Sequence, residues 1–339
     1  MRAKPLVGIT LGDAAGIGPE ITIKSLAEPD IREHCLPLVF GDPASAKAAM
    51  DLTGIALRIR EVSSPGECRG EPGTIEILPV APAGHGPIVY GKVDAALGEA
   101  SVRQSIEVAR LAVSGEIDAI CSAPVNKEAM RLAGYHYEGQ TQLFGEYCGA
   151  KKWGMLLLFG AVRCYMLTNH LSLAEAIKKV TKENLLSALE LIAGSMDLFV
   201  PDRKPVVAVS ALNPHGGENG MFGREEIDHL APAIEEARVL FPNMKTTGPV
   251  AADTIFVRAR EGEFDAVVSL FHDQANMAMK LLGFGEMVTY ILGLPIIRTS
   301  VGHGTAFDIA GQNRANHKNL YAAIRTAAEL AEIKRRIKK

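Results

Sequence analysis

The sequence of 339 residues contains no long uninterrupted apolar run, although 47% of its residues are hydrophobic. A membrane-spanning helix needs roughly 18 or more consecutive apolar residues. The apolar run near the N-terminus is also too short for a signal peptide. An excess of one charge is lacking too, since the net charge is -3. We therefore expect neither a membrane nor a nucleic acid as a partner.

Cysteine is sparse, and no two cysteines form a CxxC pair. The five cysteines are scattered along the chain, at Cys35, Cys68, Cys121, Cys148 and Cys164. Lone cysteines with apolar neighbours are typical of reduced thiols, which predicts a cytoplasmic protein. None of them lies in a motif that indicates a catalytic nucleophile.

Two common site motifs are missing as well, the HExxH metal motif and the GxGxxG dinucleotide motif. The nearest substitute is the glycine-rich turn from Gly12 to Gly18, which follows an apolar strand and opens a helix at Pro19. Such a turn could cradle a phosphate at the helix N-terminus, but Asp13 would repel it. A phosphate cradle and a simple tight turn stand as equal interpretations.

The pattern that is present is an alternation of strands and helices, which predicts an α/β fold with a mostly parallel sheet. The length suits two domains. Strands are expected at 6–11, 36–40, 55–62, 74–78, 117–121, 153–159, 163–168, 206–212, 266–270 and 288–292. Helices are expected at 19–26, 44–52, 93–113, 184–198, 225–240 and 318–338, with shorter ones on both sides of 134–139 and after 172.

Three of the predicted strands are each followed by a histidine, at His170, His215 and His272. Ligand crevices of open α/β sheets lie at the carboxyl ends of the strands. Neutral imidazole is a common ligand of Zn²⁺, and three such ligands leave one coordination position open. The alternative is that each histidine only caps its strand by hydrogen bonding. The two interpretations are about equal on the residues alone.

A second candidate site is the glycine-rich segment from Arg298 to Gly311. Small residues let a flat or anionic ligand approach the backbone. His303 and Asp308 could then contact an adenosine, and Arg298 a carboxylate or phosphate. A glycine-rich surface loop with a solvated arginine is an equal alternative.

Several blocks of sequence match one known family. They are Gly12-Asp13 with Gly16-Ile17-Gly18-Pro19-Glu20, Ala211-Leu212-Asn213-Pro214-His215-Gly216-Gly217-Glu218, Ala252-Asp253-Thr254, His272-Asp273-Gln274, and Gly293-Leu294-Pro295-Ile296-Ile297-Arg298-Thr299-Ser300 with His303-Gly304-Thr305-Ala306. In combination they are highly specific. The chain resembles the 4-hydroxythreonine-4-phosphate dehydrogenases of vitamin B6 biosynthesis over nearly its whole length.

The resemblance implies two α/β/α domains, similar to those of the isocitrate and isopropylmalate dehydrogenases. The first would comprise 1–135 plus 300–339, and the second 136–299 would carry the metal ligands and the dimer interface. It also implies a homodimer whose active sites lie in the interdomain clefts and are shared between subunits. A monomer would then be inactive.

The same resemblance implies roles for individual residues. A divalent metal (Zn²⁺, Mg²⁺ or Co²⁺) would be held by His170, His215 and the partner subunit's His272. Lys280 and Asp253 would act in catalysis. Substrate would be bound by Gln140, Thr141, Lys280, Thr289 and Arg298. NAD or NADP would lie along the loop that contains His303, Gly304, Asp308 and Gly311.

The implied reaction is oxidation of a phosphorylated hydroxy acid to a β-keto acid, which then loses its carboxylate. Three positions depart from the family pattern: Gln140 and Asn126 replace histidines, and Thr289 replaces an asparagine. We therefore expect 4-hydroxythreonine 4-phosphate as substrate, with threonate or erythronate 4-phosphate or a carboxylated cis-dihydrodiol as alternatives. The rivals from other classes are a metallohydrolase and a non-catalytic nucleotide-binding protein.

Overall fold

The computed structural model describes residues 3–80 and 86–337. His85, Lys338 and Lys339 lie outside these residues. The chain divides into two compact units. Unit 1 comprises the residues up to 151 and those from 294 onward, and unit 2 comprises Lys152–Gly293. The domain boundaries implied by the resemblance are near these but remain a prediction.

The described residues of unit 1 form six parallel strands. They are β1 (Leu6–Thr10), β2 (Leu36–Gly41), β3 (Arg58–Glu61), β4 (Thr74–Pro79), β5 (Ala119–Ser122) and β12 (Arg298–Val301). Their order is β3-β4-β2-β1-β5-β12. Because β1, β5 and β12 are parallel neighbours, the loops after them emerge at one edge of the sheet.

Helices pack on both faces of the strands of unit 1. They are α1 (Gly18–Ala27), α2 (Ile31–His34), α3 (Pro43–Thr53), α4 (Ala95–Val113), α5 (Lys127–Leu132), α6 (Gln140–Tyr147) and α12 (Lys318–Ile337). Consecutive strand residues point to opposite faces. Accordingly, Ile120 shares a core with Val108 of α4, whereas the Cys121 thiol lies against Leu320 of α12. The near-continuous burial of β1 and β5 is typical of parallel strands that are covered on both faces.

Unit 2 contains six strands in the order β11-β6-β7-β10-β8-β9. They are β6 (Gly154–Phe159), β7 (Val162–Met166), β8 (Val206–Ser210), β9 (Lys245–Val250), β10 (Ala266–Ser269) and β11 (Val288–Leu292). The pairs β11–β6 and β6–β7 are antiparallel, and the rest are parallel. The three strands β7, β10 and β8 are therefore parallel neighbours with β10 in the middle.

The helices of unit 2 are α7 (Leu173–Lys178), α8 (Lys182–Ala193), α9 (Ala231–Leu240), α10 (Ala252–Arg260) and α11 (His272–Gly283). A π-helical turn, Glu226–Leu230, leads directly into α9. Ile255 of α10 and Met279 of α11 share a core with Val267 of β10, and α9 packs on β9. No helix among the described residues has both the length and the apolar character of a membrane span.

The predicted α/β class with mostly parallel strands is confirmed. The sequence pattern gave no sign of β9, α10, α11 or β12. The loop expected at 216–223 instead contains part of a turn, Pro214–Gly220, in which the residues 215–219 have left-handed backbone. The helix expected at 184–198 ends at Ala193 and is followed by a 3-10 turn, Met196–Leu198.

Candidate active site

The three strand-end histidines follow three adjacent parallel strands of unit 2. His170 follows β7, His272 follows the central strand β10, and His215 follows β8. Because the carboxyl ends of parallel strands meet at one edge, the topology brings the segments that carry these histidines side by side. His272 is also the first residue of α11, so that its backbone is fixed by a helix as well as by a strand.

Hydrogen bonds tie the loop after β10 to both neighbouring strand ends. On one side, the Thr168 hydroxyl donates to the Leu270 carbonyl at 2.8 Å. On the other side, the Gln274 side chain accepts from the Leu270 amide at 2.7 Å and donates to the Ala211 carbonyl at 2.9 Å. Gln274 was not assigned a role by the sequence pattern, and its position beside His272 makes it a bridge between β10 and β8.

His170 and His272 lie together, with 5.9 Å between their ring centroids. The Nδ1 atom of His272 is 2.7 Å from a carboxylate oxygen of Asp273. A carboxylate on one ring nitrogen leaves the other as a lone-pair donor, which is the usual arrangement around a metal-bound histidine. The chemistry of this pair therefore fits a divalent metal, with Nε2 of His272 as the free ligand atom.

His215 does not form a complete metal site with His170 and His272. Its side chain is 69% exposed, and its Nδ1 atom lies 3.5 Å from a carboxylate oxygen of Glu218. Among the residues that the structure describes, no group of three or more histidine, cysteine, aspartate or glutamate side chains is arranged to hold a metal. The structure thus places two of the predicted ligands together and leaves the third on an exposed turn.

The backbone at His215 is left-handed, as it is at each of the next four residues. The run comprises His215, Gly216, Gly217, Glu218 and Asn219. Left-handed geometry costs a residue other than glycine roughly 1–2 kcal/mol, and three of these five carry a side chain. Strained backbone of this kind is found where the surrounding structure fixes it.

The buried carboxylate of Glu226 fastens the start of this turn. One oxygen accepts from the backbone amides of Leu212 and Asn213, both at 2.8 Å, and the other accepts from the Asn213 side-chain amide at 2.9 Å. Burial alone would raise the pKa of Glu226, but these hydrogen bonds outweigh burial and the pKa is lowered. Glu226 is therefore ionised at neutral pH.

Lys280 and Asp253, the predicted catalytic pair, are both exposed. Lys280 lies two turns after His272 on α11, and Asp253 is the second residue of α10. Within the described part of the chain, neither side chain has a hydrogen-bond or ion-pair partner. Both charges are thus available to a ligand. Thr289, in contrast, is buried within β11 opposite Leu157.

Arg298 lies in unit 1 and is only 3% exposed. Its Nε donates to the Ser122 hydroxyl at 3.0 Å, its Nη2 donates to the Gln140 side-chain oxygen at 3.1 Å, and the Phe144 ring stacks on it at 5.1 Å. The Gln140 amide nitrogen is held in turn by the Ser105 hydroxyl at 3.1 Å.

No carboxylate among the described residues pairs with Arg298. Burial lowers its pKa to about 10, so the guanidinium is still charged at neutral pH. A buried charge without an opposite charge is costly, and a bound anion removes that cost. Thr141, half-buried, follows Gln140 on α6. Together these residues could hold an anion.

The backbone amides of the glycine-rich turn after β1 already donate hydrogen bonds to acceptors within the chain. They do so as follows: Gly12 to the Gln104 side chain at 2.9 Å, Asp13 to the Pro124 carbonyl at 3.1 Å, Ala15 to the Asp13 carboxylate at 2.9 Å, Gly16 to the Asp13 carbonyl at 3.1 Å and Ile17 to the Thr305 carbonyl at 3.0 Å. Gly12 has a φ of 72°, and a Cβ there would lie 2.3 Å from the Pro124 oxygen. Of the two interpretations, these contacts favour the tight turn.

The loop after β12 has free space beside its backbone, where a ligand could lie. A Cβ at Gly304 would meet no atom, whereas Gly311, with a φ of 74°, is packed against the Tyr90 ring. Burial lowers the pKa of His303, so its ring is neutral. With Nδ1–H donating to the Gly304 carbonyl at 3.0 Å, Nε2 remains an acceptor that suits an adenine amino group. Asp308 is exposed on the same loop.

Comparison with known proteins gives a consistent result. The family model described as "Pyridoxal phosphate biosynthetic protein PdxA" matches residues 33–327. The chain is 40% identical to a 4-hydroxythreonine-4-phosphate dehydrogenase of Geobacter metallireducens, covering 98% of this chain and 97% of that one. It is also 40% identical to a D-threonate 4-phosphate dehydrogenase of Cupriavidus necator, covering 96% and 97%.

A solved structure with the same fold is consistent with these sequence matches. The 4-hydroxythreonine-4-phosphate dehydrogenase of Klebsiella pneumoniae superposes with a TM-score of 0.87 at 34% identity. The superposition covers 97% of this chain and 98% of that chain.

Proposed function

Because the chain belongs to the PdxA family of pyridoxal phosphate biosynthetic proteins, we propose that it is a metal-dependent, NAD(P)-dependent dehydrogenase that oxidises and decarboxylates a phosphorylated hydroxy acid. The first candidate substrate is 4-hydroxythreonine 4-phosphate. The observation that carries the proposal is Arg298, a buried guanidinium whose partners among the described residues are all neutral. An enzyme that holds such a charge in place is prepared for an anionic substrate.

Arg298 would bind the phosphate or carboxylate of the substrate, with Gln140 and Thr141 completing the site. The Gln140 oxygen already accepts from Arg298, which fixes the plane of the guanidinium. Lys280, exposed and unpaired among the described residues, would hold the second anionic group. Asp253 would bind the substrate or accept a proton from it, and Thr289 would supply a neutral contact.

The metal would be held by His170 and His215 of one subunit and by the partner subunit's His272. A bound Zn²⁺, Mg²⁺ or Co²⁺ would supply Lewis-acid polarisation of a substrate oxygen. The protein's own contribution is to orient the imidazoles. Asp273 fixes the ring of His272, and Gln274 fixes its loop.

NAD or NADP would lie along the loop that contains His303, Gly304, Asp308 and Gly311, where it would accept the hydride from the hydroxyl carbon. Open backbone at Gly304 and the free Nε2 acceptor of His303 support this placement. Glu20 and Lys24 of α1 hold the following segment: the Glu20 carboxylate accepts from the Ala315 amide at 2.9 Å, and Lys24 bonds both Glu20 and the Ala315 carbonyl.

The second candidate substrate is D-threonate 4-phosphate. Relatives named for each activity match this chain at the same identity, 40%. Gln140 is a neutral residue at a position where the family pattern has a histidine. A neutral side chain beside Arg298 adds no positive charge for the substrate anion, and this altered pocket favours a substrate that differs from that of the typical family member.

A homodimer is the proposed assembly. Met277, Leu281 and Phe284 follow one another at helical spacing along α11 and its end, and Leu281 and Phe284 are each 86% exposed. Large exposed apolar side chains that follow one another along a helix, as in this apolar stripe, are typical of a protein interface. Since α11 begins at His272, a second copy covering this stripe would approach the histidine site.

Replacement of Arg298 tests the proposed anion site. With Arg298→Met we expect kcat/KM for the phosphorylated substrate to fall on the order of 100-fold, because a charged hydrogen-bonded contact contributes about 1.5–3 kcal/mol. The unfolding temperature should stay the same or rise, since an unpaired buried charge is removed. Arg298→Lys should lose less activity. Unchanged kinetics in Arg298→Met would contradict the proposed anion site.

A further inference from the structure

The side chain of His215 has little to hold it, so the position of its ring depends on its backbone. The ring is exposed, its nearest charged group is Glu218 at 3.5 Å, and its ring contact is an edge-on approach to Phe222 at 6.3 Å. The backbone of the turn, in contrast, adopts one unusual left-handed conformation over five consecutive residues. Whatever fixes this conformation therefore fixes where the imidazole points.

The groups that fix the turn converge on Glu226. Its carboxylate accepts three hydrogen bonds from Leu212 and Asn213, the two residues that precede Pro214. The turn also packs onto the carboxylate, since a Cβ at Gly217 would lie 2.8 Å from a Glu226 oxygen. Glu226 itself is buried at the start of the π-helical turn that leads into α9.

The far end of the turn, at Gly223, also packs against Asn213. A Cβ at Gly223 would lie 2.5 Å from the Asn213 side-chain nitrogen, and Glu225 accepts from that nitrogen at 2.7 Å. Within the turn itself, backbone hydrogen bonds link Phe222 to Gly217 at 3.1 Å and Gly216 to Asn213 at 3.1 Å. Both ends of the turn are thus anchored at Asn213, and Asn213 is anchored by Glu226.

We propose that Glu226 is a positioning residue, which holds the His215 turn in its left-handed conformation and thereby sets the affinity of the histidine site for a divalent metal. Glu226 does not touch the His215 ring and acts through the backbone of 212–217. The inference rests on the metal role proposed for His215. Partners that orient a metal-binding residue from behind typically alter metal affinity by roughly 10- to 100-fold.

The test compares three variants of the full-length protein, with Co²⁺ as the probe and a chromophoric chelator as competitor. Glu226→Ala should bind Co²⁺ roughly 10- to 100-fold more weakly than the wild type. Glu226→Gln keeps the oxygen that accepts the two backbone amides and loses the bond to the Asn213 side chain, so its affinity should be intermediate. Asp228→Asn is the matched control: it removes a carboxylate from the same turn, where Asp228 pairs with Arg224 at 2.9 Å.

Hydrogen–deuterium exchange separates a local effect from a general folding defect. In Glu226→Ala the amides of 212–223 should exchange faster, while those of β8 and α9 remain as in the wild type. Wild-type affinity together with wild-type exchange in Glu226→Ala would overturn the proposal. Equally faster exchange in β8 and α9 would overturn it too, because Glu226 would then serve the fold as a whole.

The same experiment distinguishes this inference from the proposed function. If the wild type binds no Co²⁺, the metal role of His215 is wrong. Exchange in 212–223 then decides by itself whether Glu226 holds the turn.

Discussion

Asp13 and Arg298 are both buried ionisable groups, and neither has an oppositely charged partner among the described residues. Asp13 lies in a closed turn, and one of its carboxylate oxygens has no hydrogen-bond partner in the described part of the chain. Burial, assisted by the charge of Asp94 and opposed by the Ala15 amide, raises its pKa to about 6. Arg298 keeps its charge at neutral pH, whereas Asp13 loses its charge once the pH falls below about 6.

Asp13 predicts a pH dependence of stability. Its pKa in the folded protein is above the unfolded value of 3.8. The free energy of unfolding therefore falls as the pH rises from the unfolded pKa through the folded one, because the buried carboxyl group is then forced to ionise. Above pH 7 this costs roughly 2–3 kcal/mol. Asp13→Asn should therefore be more stable than the wild type at high pH, with an advantage that shrinks toward pH 4.

The measurement is the free energy of unfolding by urea as a function of pH. The control is Asp197→Asn, which changes an exposed aspartate. Parallel stability curves for Asp13→Asn and the wild type between pH 4 and pH 8 would show that Asp13 does not titrate as described.

At the scale of elements, the strands that carry the histidines were predictable because each is a short apolar run that ends in a polar cluster. The runs before His170, His215 and His272 correspond to β7, β8 and β10. Their adjacency was not predictable, since the order of strands depends on crossovers that leave no local signal. The order β7-β10-β8 is what places His272 between the other two.

Two of the missed elements, β9 and α11, lack a local signal, whereas the left-handed turn depends on a residue farther along the chain. β9 reads Lys-Thr-Thr-Gly-Pro-Val, in which glycine and proline weaken a strand pattern. α11 begins at His272 with no side-chain cap, so the usual start signal is absent. The left-handed turn at 215–219 includes three residues with side chains, and this conformation is set by Glu226 from a later turn rather than by the local sequence.

The sequence predicted which residues belong to the candidate site better than it predicted the environment of each side chain. The sequence indicated Arg298 and the loop of His303, but it left open whether the arginine is solvated. Burial and the neutral partners Ser122 and Gln140 depend on the packing of β5, β12 and α6, which no local pattern reveals. The roles of Gln274 and Glu226 were missed for the same reason.

At the scale of the whole molecule, the proposed dimer makes a prediction about mass. The wild type should have about twice the monomer mass of 36.2 kDa. Leu281→Lys places a charge in the centre of the apolar stripe on α11 and should yield a monomer without activity, because the proposed metal site needs a second copy. Light scattering after size-exclusion chromatography measures the mass.

The control for the dimer is Leu132→Lys, which changes an isolated exposed leucine at the end of α5 in unit 1. It should leave both mass and activity unchanged. A wild-type protein that is a fully active monomer at micromolar concentration would contradict the proposed assembly.

The central claim is that the chain oxidises a phosphorylated hydroxy acid with NAD(P)⁺. The most direct measurement is the absorbance of NADH or NADPH formed by metal-loaded protein with a panel of substrates. The panel contains 4-hydroxythreonine 4-phosphate, D-threonate and erythronate 4-phosphates, their unphosphorylated forms and a carboxylated cis-dihydrodiol. We predict turnover with one of the phosphorylated acids and little with its unphosphorylated form. No reduced nucleotide with any phosphorylated acid, despite bound metal, would contradict the account and favour a metallohydrolase or a nucleotide-binding protein.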